Sequence, residues 1–158
     1  MKVCNIPDTI ANMIEYIKDP TLFHITHLGK LVAIVVRADH QVENLEFITD
    51  EQQPFQVGIH QKPAGLQLTP HIHLSNTKVI NEIQEVLYVV KGKIRVTEYT
   101  IEGDVIDVVE LSEGDSIIQI SMGHGVDILE DARIYEVKQG PYPGTQHAKI
   151  YLEKKDVT

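Results

Sequence analysis

The rhythm of apolar positions changes once along the chain. Ile10, Met13, Ile14 and Ile17 fall three and four apart behind Asp8 or Thr9 as a cap, so residues 8–18 are expected to form a short amphipathic helix on the outside of the fold. From residue 23 onward the apolar residues instead gather in short runs bounded by turn formers. The runs are 31–37, 55–61, 66–73, 85–90, 93–100, 105–111, 116–120 and 133–137. Between them stand Lys62-Pro63-Ala64-Gly65, Lys91-Gly92-Lys93, Glu102-Gly103-Asp104 and Glu113-Gly114-Asp115, each with a glycine where positive φ is cheap. Successive antiparallel pairing is the expectation. Val86 to Val90 is apolar at every position, which predicts a strand covered on both faces. Residues 39–53 read as a long polar loop, and no repeat or linker interrupts the chain. One domain is therefore expected over residues 1–158, with its β core at about 22–152.

Composition narrows the function. The chain has 158 residues, of which 42% are hydrophobic, enough for one core and one principal site. Its apolar runs are too short to cross a membrane as helices, and its first residues lack the apolar stretch of a secretory signal. Cys4 is the only cysteine, which removes intrachain disulfides and thiolate clusters and suits a reducing compartment such as the cytoplasm. With 14 Lys and Arg against 23 Asp and Glu, the net charge of −9 repels a phosphate backbone, so nucleic acid is not an expected partner.

Chemistry gathers in the middle of the chain. His71 and His73 flank Ile72 on an expected strand, where residues two apart project to one face. Taken alone, a His-x-His pair is an ordinary surface feature in a protein with eight histidines. Glu85 shares parity with Leu87 and Val89, and a carboxylate on an apolar face needs a cation or hydrogen bonds to receive it. His124 sits between Gly123 and Gly125, where flanking glycines allow a sharp bend that aims its ring.

In order, Gly65, His71, His73, Glu85 and Gly92, then Gly114, Gly123 and His124, resemble the two motifs of the cupin family. The resemblance covers residues 65–124. It implies an all-β fold, a double-stranded β-helix of jelly-roll type, and one divalent transition-metal ion (Fe, Mn, Ni, Zn or Cu) held by His71, His73, Glu85 and His124. The chain departs from the common pattern in three places: eleven residues separate His73 from Glu85 where the motif has only a few, the second motif lacks its proline, and His124 stands one position early. Glu82 is the alternative carboxylate, although only Glu85 has the six-residue spacing to Gly92.

Around such a centre, Gln61, Lys78, Lys138 and Tyr142 are the candidate substrate-binding residues, and no catalytic residue is singled out. The spacer 74–84 would arch near the pocket mouth, as a specificity lid in which Lys78 meets an anionic group or as a plain surface insertion. His24, His27, His40 and His147 read as structural or solvated histidines. Two functions follow from the resemblance: an enzyme whose metal acts on a small polar metabolite (a sugar, keto acid or enediol), or a binding or sensing module without turnover. The two-sided strand, with Tyr88 turned away from the metal, adds the expectation of a homodimer.

Overall fold

The computed structural model describes residues 19–153, so the helix expected over residues 8–18 lies outside the described residues. The strands are β1 (Leu22–His27), β2 (Lys30–Val36), β3 (Leu45–Phe47), β4 (Gly58–His60), β5 (Glu85–Tyr99), β6 (Val105–Ser112), β7 (Ser116–Gln119) and β8 (Gly123–Lys138). One helical turn, α1 (Thr145–Ala148), follows them. The described residues are mostly β, arranged as a curled antiparallel sheet that forms half a barrel. No helix among them is long and apolar enough to cross a membrane.

Two long strands carry the architecture. β5 pairs along one edge with β8, and along the other with β6 over its second half and β7 over its first half. β7 continues the sheet to β2, and β2 to β1. Cross-strand partners share a face of a sheet, so the register sorts the core into two layers. Ile25, Ala33, Val35, Ile117, Leu87, Val89, Ile94, Val96, Val109 and Leu111 fill one cluster. Ile34, Val36, Ile118 and Ile120 form the other, capped by Ile48 beside β3 and by Val57 and Ile59 around β4.

The expected break at Lys91-Gly92-Lys93 is not a hairpin, because β5 runs through it from Glu85 to Tyr99. The departure from regular geometry is absorbed as a set of register shifts: Val89 faces Ile134, Lys91 faces Arg133, Lys93 faces Glu130 and Ile94 faces Ile128. Gly92 takes φ +84 there, and a Cβ on it would lie 2.9 Å from Ala132 Cα and closer still to the Asp131 carbonyl oxygen. A bulged, glycine-centred kink of this kind increases twist and bends the ribbon. At Glu113-Gly114-Asp115 the chain likewise forms no hairpin; it stays on the same edge of β5 and passes from β6 to β7.

Asp115 secures that passage. Its carboxylate accepts hydrogen bonds from the backbone amides of Ala38 (2.9 Å) and Ser112 (3.0 Å) and from Arg37 Nη1 (3.0 Å). Because Asp115 is buried, losing the charge weakens three bonds that water does not replace, and Asp115→Asn is expected to cost about 2 kcal/mol. Urea denaturation checks this; a variant as stable as the parent would show that the passage needs no anion.

The expected strand 66–73 is absent. Residues 61–84 contain no regular structure, and both edges of β5 are already taken, so this segment does not lie beside Glu85. Pro70 helps to keep residues 66–73 out of a paired strand, since it lacks an amide donor. The expected strand 55–61 contracts to Gly58–His60, and 133–137 extends to Gly123–Lys138. Among the described residues, Leu87 and Val89 of the strand 85–90 are buried, whereas Tyr88 on its other face is 43% exposed.

Candidate functional site

The curl of β5 brings distant positions together. Glu85 begins the strand and Glu98 lies near its end, yet both ends meet across the inner face of the half-barrel. Gln119, the partner of Glu85 on β7, donates from Nε2 to Glu98 Oε1 at 2.8 Å. His124, the partner of Glu98 on β8, places Nε2 2.9 Å from Glu85 Oε1. Each end of the ribbon is thus tied to the other by a side chain from a neighbouring strand.

Three of these four residues border a pocket of about 950 Å³, with Glu98 buried behind them. Glu85, Gln119 and His124 line one wall of the pocket, and Val126, Ile128 and Ile134 line its apolar side. Lys138, Tyr142 and the turn Gly140-Pro141 close its rim. A second pocket of about 560 Å³ lies where residues Lys149 to Glu153 pass over β8, and His124 lines both.

Burial and pairing tune the charges. The His124 side chain is 32% exposed and that of Glu85 14%. Their mutual hydrogen bond holds the Glu85 carboxyl below its usual range and raises the His124 imidazole, so the pair favours carboxylate and imidazolium. Lys138 stands 4.0 Å from Glu85 and is bonded to Glu136, which raises its ammonium pKa. Glu98 behaves in the opposite way. Its side chain is fully buried, and burial pushes its carboxyl up to about 7 although the Gln119 amide bond works against the shift. Glu98 Oε2 and Gln119 Oε1 have no hydrogen-bond partner among the described residues.

The residues singled out from the sequence are placed as follows. Glu85 and His124 meet. Glu82 does not reach them; it is exposed and pairs with Lys30 at 2.8 Å. His71 and His73 lie on the exposed 61–84 segment with ring centroids 5.1 Å apart, and His71 Nδ1 is 3.0 Å from the Thr69 carbonyl oxygen. Among the described residues, no group of three or more His, Cys, Asp and Glu side chains stands close enough to hold a metal ion. Lys138 and Tyr142 line the pocket. Gln61 does not, since its side chain accepts from the Val42 amide at 3.4 Å, and Lys78 is exposed on the spacer. The spacer ends at the pocket: Ile83 lines it, and the buried Gln84 is fastened to Gln139 and to Gln53.

Glu98 and Gln119 were legible and were missed. Glu98 shares parity with Ile94 and Val96, and Gln119 with Ile117, so each is a polar residue on the apolar side of a strand. The flanking glycines of His124 act differently from the expected bend. The positive φ of 68° falls at Met122, while Gly123 and Gly125 let Leu152 and Tyr99 pack closely: an added Cβ would lie 2.6 Å from Leu152 Cδ1 and 3.3 Å from Tyr99 Cε2.

Comparison of the chain with protein-family models, with curated proteins and with solved structures finds no match.

Proposed function

We propose that the pocket on the inner face binds a small polar metabolite against the Glu85–His124 pair, and that this pair is half of a cupin-type divalent metal centre. The observation that carries the reading is the 2.9 Å approach of Glu85 to His124, two residues 39 positions apart that the curl of β5 and β8 delivers to one pocket wall.

The donor types fit a borderline divalent ion: one carboxylate and one imidazole face each other, and two further imidazoles stand side by side on His71 and His73. Glu85 and His124 would hold the ion, with His71 and His73 completing the set when the 61–84 segment folds toward them. A bound ion would supply Lewis-acid or oxygen-activating chemistry to a sugar, keto acid or enediol. The chain's own groups do the rest. Lys138 and Tyr142 at the rim orient an anionic or hydroxylated substrate, and Val126, Ile128 and Ile134 exclude water from its other side. On this reading the curled sheet is the visible part of a double-stranded β-helix.

Titration calorimetry with Mn, Fe, Ni, Zn and Cu, with metal content measured on folded protein, tests the assignment. One ion per chain is expected, with affinity falling at least about 100-fold in His124→Ala, Glu85→Gln and His71→Ala. Affinity should rise with pH through the raised pKa of His124, because the ion needs the neutral imidazole and competes with the proton shared with Glu85. Stoichiometric binding that survives in His124→Ala would sink the assignment. If no metal binds yet a metabolite does, the pocket belongs to a metal-free binding module.

A further inference from the structure

The second pocket is built around the start of β8. Register pairs Tyr99 with Gly123, Glu98 with His124 and Thr97 with Gly125. Cross-strand partners share a face and successive residues alternate, so Tyr99 and both glycines lie on the side opposite Glu98. The glycines leave room there for the Tyr99 ring and for Leu152, which pack against bare backbone. The turn after β5 closes the far side: Gly103 takes φ +86, and a Cβ on it would come 2.9 Å from the Glu153 carbonyl oxygen.

Most of what lines this space is apolar. Tyr99, Ile101, Ile150, Tyr151 and Leu152 form its walls, and Met122 lies on its border with the first pocket. Three of these side chains face water: Ile101 is 74% exposed, Tyr151 76% and Ile150 91%. Exposed apolar residues are ordinary when scattered singly, but three gathered around one cavity mark a surface that a ligand covers. At about 560 Å³ the space falls in the range of about 300 to 1,000 Å³ usual for small-molecule sites.

Charge decides the kind of ligand. The two pockets share Met122, His124, Gly125 and Lys149. Elsewhere in the first pocket the charges are matched, since Lys138 is bonded to Glu136 and Glu85 meets His124. Lys149 forms no ion pair among the described residues, Glu153 of the same pocket included. Its Nζ stands 5.9 Å from the centroid of the Tyr151 ring, close enough for the ring face to attract the cation. An ammonium held beside an aromatic wall, at the junction where His124 lines both pockets, is suited to an anion attached to a ring.

We propose that the second pocket takes the ring of an aromatic carboxylate whose acid group sits on Lys149, beside His124. The inference rests on the reading of the Glu85–His124 wall as a metabolite site, and it narrows the metabolite to an aromatic acid. Tyr99 and Tyr151 offer the ring faces and edges against which an aromatic group packs. The acid group then stands at the border of the first pocket, next to the Glu85–His124 pair.

Titration calorimetry on the full chain separates the ring from the charge. Benzoate, phenylacetate and 3-phenylpropanoate carry both, 3-phenylpropan-1-ol carries the ring without the charge, and propanoate the charge without the ring. At least one of the three aryl acids should bind one per chain, at least about tenfold more tightly than the alcohol or propanoate. Lys149→Met removes the charge from an exposed side chain and should weaken that acid at least about tenfold, leaving the alcohol within about twofold. Tyr151→Ala, also at an exposed position, should weaken both. The proposal is overturned if none of the three acids binds at millimolar concentration, if propanoate binds as tightly as they do, or if Lys149→Met keeps the parent's affinity for them. Repeating the titration on chelator-treated protein keeps the two readings apart. Acid binding in a chain that takes up no metal sinks the metal centre and retains the aromatic-acid site; one ion per chain without acid binding does the reverse.

Discussion

Gly92→Ala is expected to destabilise the protein by about 3 to 5 kcal/mol, lowering the melting temperature by roughly 10 °C. Two costs add. At φ +84 any side chain meets left-handed strain, worth about 1 to 2 kcal/mol. The new methyl group also strikes backbone, the Asp131 carbonyl and Ala132 Cα, in the paired strand β8, where nothing rotates out of the way. Gly65 supplies the control: its φ is +86, but a Cβ there meets nothing within 4 Å, so Gly65→Ala should show the strain alone. Gly123→Ala should also be mild, because the group it strikes is the end of the flexible Leu152 side chain. Thermal or urea unfolding of the three variants ranks them. If Gly92→Ala costs no more than Gly65→Ala, the two long strands are not held together across residue 92. Since the kink there folds the ribbon onto itself, Gly92→Ala should also separate Glu85 from His124, and the His124 proton should titrate closer to its ordinary range.

Gly92 also shows how far the sequence could be read. A glycine between two lysines carries the signal of a tight turn, and local pattern does not distinguish a hairpin from a bulge inside a continuous strand. That distinction depends on β8, whose residues 129–133 absorb the register shifts more than thirty positions later. The β-rich character and most strand positions, by contrast, follow from local alternation, and β6 and β7 lie where that alternation puts them. At the site, parity placed Glu85 on the face of Leu87 and Val89, a local inference that holds in the sheet. Its contact with His124 was legible only through motif order, because it arises from the curl of the whole ribbon. The segment holding His71 and His73 alternates apolar and polar residues at Leu66, Leu68, Ile72 and Leu74, yet these side chains are exposed. Alternation states which face a strand would bury; it does not supply a partner edge. Glu98 is the opposite case, since its polar character on an apolar parity was a local signal that no motif pointed to.

Glu98→Gln is expected to raise stability by about 3 kcal/mol above pH 7 while leaving it nearly unchanged near pH 4. In the folded protein the Glu98 carboxyl titrates at about 7, against 4.5 when unburied, so folding favours its protonated form. A raised pKa means that the unfolded chain gives up this proton first. The contribution of the neutral carboxyl is therefore complete below pH 4.5, is lost as pH rises toward 7, and stays lost above it. Glutamine keeps the neutral form at every pH and retains an oxygen that can accept from Gln119 Nε2. The Glu85–His124 pair also makes stability depend on pH, but it is present in both proteins. Subtracting the two urea-denaturation curves, measured from pH 4 to 9, isolates Glu98. The difference should grow between pH 4.5 and 7 and then level off. A difference that is flat across the range would mean that Glu98 is ionised in the folded protein at all these pH values, with its charge met by a cation or by water at the orphaned Oε2.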